Sequence, residues 1–86
     1  MGIERPTPSE VTEQLLVIWR NLLNKDVLPQ ADFFEAGGDS LKAIRMILEV
    51  QKTFEVDLDV ETFFEAPSVA RLADLILVSP QGRHVA

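Results

Sequence analysis

Apolar residues recur at helical spacing in three stretches of this chain, and no stretch of strand period competes with them. The three stripes comprise Val11, Leu15, Ile18, Trp19 and Leu22; Ala43, Ile44, Ile47, Leu48, Val50 and Phe54; and Val69, Leu72, Ala73, Ile76 and Leu77. An amphipathic helix must bury its apolar face against another element. The pattern therefore predicts an all-α fold, a small four-helix bundle with a long first loop and a short third helix.

The residues that flank these stripes carry helix start and stop signals. Thr7 and Glu10 have the spacing of a capping box, and Asn24 suits the left-handed end of the first helix. Asp59 is placed to cap a short third helix, and Ser68 to cap the fourth. Local sequence thus predicts both the number of helices and where they begin.

The length of the chain, 86 residues, leaves room for one compact domain. We expect a lead-in at residues 1–6, the domain at residues 7–78, and a tail or linker at residues 79–86. No apolar run reaches the length of a membrane span and no signal peptide is evident. These features predict a cytoplasmic monomer.

Composition excludes several classes of function. Acidic residues outnumber basic ones by 14 to 8, for a net charge of −6, which disfavours binding to nucleic acid or an anionic membrane. Cysteine is absent, so disulfides, a thiolate nucleophile and cysteine metal ligation are excluded. Asp57, Asp59 and Glu61 lack the glycine and distal glutamate of a calcium loop. We therefore expect no metal site.

The most unusual stretch is the aperiodic segment 25–38, which ends in Gly37, Gly38, Asp39 and Ser40. The two glycines allow backbone angles that other residues resist and leave space for the approach of another molecule. Ser40 lies in the first turn of the second helix, where unpaired N–H groups and the helix dipole favour an anion such as a phosphodiester. A serine hydroxyl at this point is well placed for covalent modification by phosphate.

Two other interpretations of this stretch remain open. Asp39 or Ser40 could simply cap the second helix, although capping does not explain so long a loop with two glycines at its end. Ser40 could instead be a catalytic nucleophile, because residues 38–42 approach the G-x-S-x-G pattern. Lys42 replaces the second glycine of that pattern, and the only histidine, His84, lies in the predicted tail.

Residues 32–41 (DFFEAGGDSL) resemble the attachment motif of phosphopantetheine-bearing carrier domains, above all the peptidyl (thiolation) carriers of nonribosomal peptide synthetases. The resemblance continues on both sides of the motif. Residues 7–10 (TPSE) with Ile18 and Trp19 are similar to the first helix of the family, and residues 63–73 (FFEAPSVARLA) to its third-to-fourth-helix segment. The resemblance to this family covers roughly residues 7–78.

The resemblance implies a carrier that is not itself an enzyme. In such carriers a phosphopantetheinyl transferase uses coenzyme A and magnesium, the hydroxyl corresponding to Ser40 attacks the phosphate, and the pantetheine arm remains as a phosphodiester. The thiol of the arm then accepts an aminoacyl or acyl group from an adenylation partner. The carrier delivers this group to condensation, thioesterase or tailoring enzymes of antibiotic or other secondary-metabolite biosynthesis, including hybrid polyketide pathways.

Two features favour the peptidyl carriers within this group. The second helix carries Lys42, Arg45 and Lys52 where fatty acid carriers place acidic residues, and Gly37 with Gly38 is more typical of peptide-synthetase carriers. The alternatives are an acyl carrier of a polyketide or fatty-acid pathway and, more distantly, a helical protein-interaction bundle without a cofactor.

The resemblance also implies a set of site residues around Ser40. Gly37, Gly38 and Asp39 would support the attachment motif. Partner enzymes would contact the second and third helices at Leu41, Lys42, Arg45, Met46 and Phe63. Since a two-turn helix cannot easily bury both Phe63 and Phe64, we expect one to pack in the core and the other to border the site.

Overall fold

The computed structural model describes residues 7–78, and within this range the chain forms four α-helices and no strand. The helices are α1 (Pro8–Leu23), α2 (Ser40–Phe54), α3 (Val60–Glu65) and α4 (Val69–Val78). The predicted all-α bundle, with its long first loop and short third helix, is confirmed. None of these helices combines the length and the apolar character needed to cross a bilayer. The predicted lead-in at 1–6 and the tail at 79–86, including His84, lie outside the described residues.

Side chains at the predicted positions satisfy the backbone at the helix ends. The Thr7 hydroxyl accepts the N–H of Glu10 at 3.1 Å, and the Glu10 carboxylate accepts the N–H of Thr7 at 3.0 Å, which completes the capping box. Asn24 ends α1 in the left-handed region, with a φ of 64°. Asp59 and Ser68 accept backbone N–H groups in the first turns of α3 and α4.

An aromatic cluster lies at the centre of the core. Trp19 packs edge-on against Phe33, with ring centroids 4.9 Å apart, and against Phe63 at 6.2 Å. All three side chains are buried, so α1, the first loop and α3 meet at one point. The indole N–H of Trp19 has no hydrogen-bond acceptor among the described residues, which leaves shape and ring geometry as the basis of this packing.

The buried face of α2 differs from the predicted one. Ala43, Ile47, Val50 and Phe54 are buried as expected, but Met46 is buried with them, whereas Ile44 and Leu48 are exposed. The apolar arc of α2 is wider than the surface that its neighbours cover. Helix α1 lies on the Met46 side, where Ile18 and Leu22 line a groove with Met46, and this choice of side is a tertiary effect that periodicity does not encode.

Candidate functional site

The loop before α2 contains a single helical turn organised by Asp32. The Asp32 carboxylate accepts the N–H groups of Phe34 at 2.8 Å and Glu35 at 3.1 Å, and the Asp32 carbonyl accepts the N–H of Ala36 at 2.9 Å. Gly37 follows with a φ of 113°, a backbone conformation that side-chain-bearing residues rarely adopt. Asp32 therefore caps this turn, and Gly37 ends it.

The two glycines have different structural roles. A β-carbon at Gly37 would meet no atom within 4 Å, so this position is open, as expected of space left for another molecule. A β-carbon at Gly38 would instead overlap three atoms of the Phe33 ring. The prediction of free space is therefore wrong for Gly38, because the buried ring of the same loop fills that space.

The loop before α2 is fixed to the segment that joins α3 and α4 by two backbone hydrogen bonds. The N–H of Phe33 donates to the carbonyl of Pro67 at 2.8 Å, and the N–H of Ala70 donates to the carbonyl of Pro29 at 2.9 Å. The loop therefore lies against the junction between α3 and α4. Two of the segments that carry the resemblance, residues 32–41 and 63–73, are thus neighbours in the fold although they are far apart in the chain.

Ser40 is the first residue of α2, and Asp39 is the residue that caps the helix. The Asp39 carboxylate accepts the N–H of Lys42 at 2.8 Å. Ser40 is exposed, and its hydroxyl makes no hydrogen bond with any other described residue. Capping is thus performed by the residue before Ser40, which leaves the Ser40 hydroxyl at the surface beside the unpaired N–H groups of the helix start.

This geometry suits a hydroxyl that accepts a group from another enzyme. A phosphodiester on Ser40 would lie at the positive end of α2. A serine nucleophile, by contrast, requires a base within hydrogen-bond reach, and no side chain between residues 7 and 78 is bonded to the Ser40 hydroxyl. That part of the chain also holds no group of His, Asp and Glu residues that could bind a metal ion.

Two of the residues expected to contact partners lie in the core instead. Met46 and Phe63 are each 1% exposed, so both predictions of a surface contact are wrong. The ring of Phe63 packs edge-on against Trp19 and Phe33, with ring centroids 6.2 Å and 5.6 Å apart. Phe64, one residue further along α3, is 42% exposed. The aromatic residue at the surface of α3 is therefore Phe64 and not Phe63.

The exposed apolar residues of α2 form a stripe that begins beside Ser40. Leu41, Ile44 and Leu48 are 63%, 43% and 59% exposed, and their i, i+3, i+7 spacing places them on one side of the helix. We call these three residues the apolar ridge. Ile44 and Leu48 were assigned to the core from the sequence, and their role at the surface appears only when the packing of α2 is known.

Lys42 and Arg45 lie on a different side of α2 from Ser40. Lys42 is half-buried and Arg45 is exposed. At 3.6 residues per turn, their positions are about 160° and 140° around the helix from Ser40. This placement favours a contact with a partner protein over a contact with a phosphate on Ser40.

Comparison with known proteins shows the family to which the chain belongs. Residues 13–76 match the family described as "Phosphopantetheine attachment site". The chain is 38% identical over 79 residues to gramicidin S synthase 2 of Brevibacillus brevis, a match that covers 91% of this chain and 2% of that protein. The chain therefore spans only a small part of the length of the curated relatives it matches.

Solved structures support the same relationship at the level of the fold. An active-site mutant of a peptidyl carrier protein superposes with a TM-score of 0.78 and 26% identity, and the match covers 99% of this chain and 96% of that one. A chain in the complex of the phosphopantetheine transferase Sfp with coenzyme A and a peptidyl carrier protein gives a TM-score of 0.74 and 28% identity, covering 78% and 88%. The bundle described above is thus the fold of these carriers.

Proposed function

Because the chain belongs to the phosphopantetheine attachment-site family, we propose that it is a carrier domain of nonribosomal peptide synthesis in which Ser40 bears the phosphopantetheine arm. The observation that supports Ser40 is its exposed, unbonded hydroxyl at the start of α2. When bound, the arm supplies a terminal thiol that holds aminoacyl or acyl groups as thioesters.

The attachment reaction uses few features of this chain. The Ser40 hydroxyl forms a bond to the phosphorus of coenzyme A that carries the pantetheine, the P–O bond to the other phosphate of the diphosphate breaks, and adenosine 3′,5′-bisphosphate leaves. The hydroxyl proton passes to a base of the transferase or to water. Asp39 fixes the first turn of α2 through the N–H of Lys42, and this holds Ser40 in place while its hydroxyl remains free.

The partners of the domain follow from this role. We infer that a phosphopantetheinyl transferase modifies Ser40, that an adenylation domain loads the arm, and that condensation, thioesterase or tailoring enzymes receive the cargo in the cytoplasm. In this scheme the domain is a monomer and catalyses no step itself. The apolar ridge and Phe64 offer exposed apolar surface for these partners close to α2 and α3.

Intact-mass spectrometry tests the assignment directly. The protein is incubated with coenzyme A, magnesium and a broad-specificity phosphopantetheinyl transferase, and we expect a mass gain of one phosphopantetheine group. Ser40→Ala should show no gain, whereas Ser68→Ala, which removes a capping serine elsewhere, should gain the group as the unmodified sequence does. An unchanged mass for the unmodified sequence would favour a helical interaction bundle without a cofactor.

The identity of the acyl group separates the peptidyl carrier from the polyketide or fatty-acid carrier. The cations of α2 favour the peptidyl class, as described for the sequence. Holo protein is offered to adenylation domains with their amino acids and ATP, and to an acyltransferase with malonyl coenzyme A. We expect aminoacyl thioesters to form at least ten times faster than malonyl thioesters, a discrimination of about 1.4 kcal/mol or more.

A further inference from the structure

Helix α2 has a net positive charge, whereas the protein as a whole has a net negative charge. The whole chain has 14 acidic and 8 basic residues, for a net charge of −6. Helix α2 carries Lys42, Arg45 and Lys52 against a single carboxylate, Glu49. The helix that begins with Ser40 is therefore a positive strip on a negative protein.

The cations of this strip form no ion pair with any residue between 7 and 78. The ion pair found among the described residues joins Arg20 of α1 and Asp26 of the following loop, 3.6 Å apart, and includes no residue of α2. Arg45 lies one turn before Glu49, yet the two groups do not approach within the distance of an ion pair. The positive groups on α2 are thus available to carboxylates of another molecule.

The positive strip borders the apolar ridge. By helical geometry, Arg45 and Lys52 lie within about 60° of Leu41 and Leu48 around α2. The charge changes sign directly after the helix, where five acidic residues fall in a short stretch: Glu55, Asp57, Asp59, Glu61 and Glu65. A partner that covers α2 therefore meets apolar side chains, cations beside them, and carboxylates beyond the end of the helix.

We propose that this α2 surface docks with an apolar groove bordered by carboxylates on the adenylation domain that loads the arm. The inference rests on the proposed function and adds the charge of the partner. Carboxylates opposite Arg45 and Lys52 would steer the encounter, and repulsion from the acidic stretch would reject a reversed orientation. An anionic bilayer would also attract cations beside exposed leucines, but the net charge of −6 and the acidic stretch oppose that contact.

Charge-reversal variants with equal net charge test the proposal. Arg45→Glu/Lys52→Glu changes two exposed cations of α2, and Lys25→Glu/Arg71→Glu changes two exposed cations outside it. Each protein is first converted fully to the holo form with excess transferase, and the conversion is verified by mass. The rate of thioester formation is then measured with an adenylation domain that loads the holo protein of unmodified sequence.

At low ionic strength we expect the α2 variant to lose about tenfold in kcat/KM, and the control variant to change by less than about twofold. Added salt should lower kcat/KM for loading of the unmodified sequence, because screening weakens the attraction between opposite charges. It should also reduce the difference in kcat/KM between the α2 variant and the control variant. Circular dichroism melting of both variants confirms that each is folded.

The failure of this inference is distinct from the failure of the proposed function. If Ser40 gains no phosphopantetheine, the carrier role is wrong. If the holo protein forms but both variants load equally, or if salt accelerates loading, the acidic partner surface is wrong. Co-sedimentation of the protein with vesicles of phosphatidylserine and phosphatidylcholine, lost in the α2 variant, would assign the surface to a membrane instead.

Discussion

The ring of Phe33 occupies the space in which a side chain on Gly38 would lie. The N–H of Gly38 also donates to the carbonyl of Phe33 at 2.9 Å. Gly38 is therefore in contact with both the backbone and the ring of Phe33. Phe33 is fully buried against Trp19. The backbone at Gly38, two residues before Ser40, therefore packs directly against the aromatic core.

Gly38→Ala should destabilise the domain by about 1–3 kcal/mol, since the added methyl group overlaps a ring that is enclosed on all sides and cannot move aside. Urea denaturation followed by circular dichroism measures this change in the free energy of unfolding. Introducing Gly38→Ala into a Phe33→Leu variant separates the steric effect from a backbone effect. The smaller leucine side chain should remove most of the loss of unfolding free energy that Gly38→Ala causes. An equal penalty in both backgrounds would contradict the steric explanation.

Asp39→Ala should cost about 0.5–2 kcal/mol, because the N–H of Lys42 loses its acceptor at the start of α2. Asp39→Asn retains an oxygen in the same position, so its cost should be much smaller. Thermal melting of the apo protein compares the two variants. Equal losses for both would show that the carboxylate charge, and not the cap, stabilises the helix.

The helix boundaries could be predicted from the sequence because their signals are local. The capping box of Thr7 and Glu10, the left-handed Asn24 and the cap at Asp59 each depend on residues within one turn. The place of Ser40 in the first turn of α2 could be predicted in the same way, because it depends on local signals. The proposed attachment site is thus the part of the function that local sequence encodes best.

Which apolar residues lie at the surface could not be predicted in the same way. Met46 and Leu48 are two residues apart and lie on opposite sides of α2. Only the position of α1 buries the first and leaves the second exposed. Phe63 and Phe64 are adjacent and chemically identical, so the choice between them depends on where Trp19 and Phe33 lie. Partner surfaces of small helical domains therefore require the tertiary structure.

Phe63→Ala should destabilise the domain by about 3–5 kcal/mol, because it removes a buried ring from the aromatic cluster. Phe64→Ala should cost about 0.5–1.5 kcal/mol, since its exposed ring contacts mainly Phe34, with centroids 5.5 Å apart. Denaturant unfolding measures both values. A larger loss at Phe64 than at Phe63 would contradict the orientation of α3 described here.

Leu48→Ala and Met46→Ala should separate partner contact from stability on a single helix. Leu48 is 59% exposed and alanine is an equally good helix former, so the free energy of unfolding should change by less than about 0.5 kcal/mol. Met46 is buried, and its truncation should cost about 2–5 kcal/mol.

The same pair should behave in the opposite way with partner enzymes. With holo protein and conditions that keep both variants folded, Leu48→Ala should lower kcat/KM for thioester loading several-fold through a higher KM, because exposed apolar area on the ridge is lost from the docked complex. Met46→Ala should load at nearly the unmodified rate. Normal loading of Leu48→Ala, Ile44→Ala and their double variant would show that these two exposed side chains do not contribute to docking.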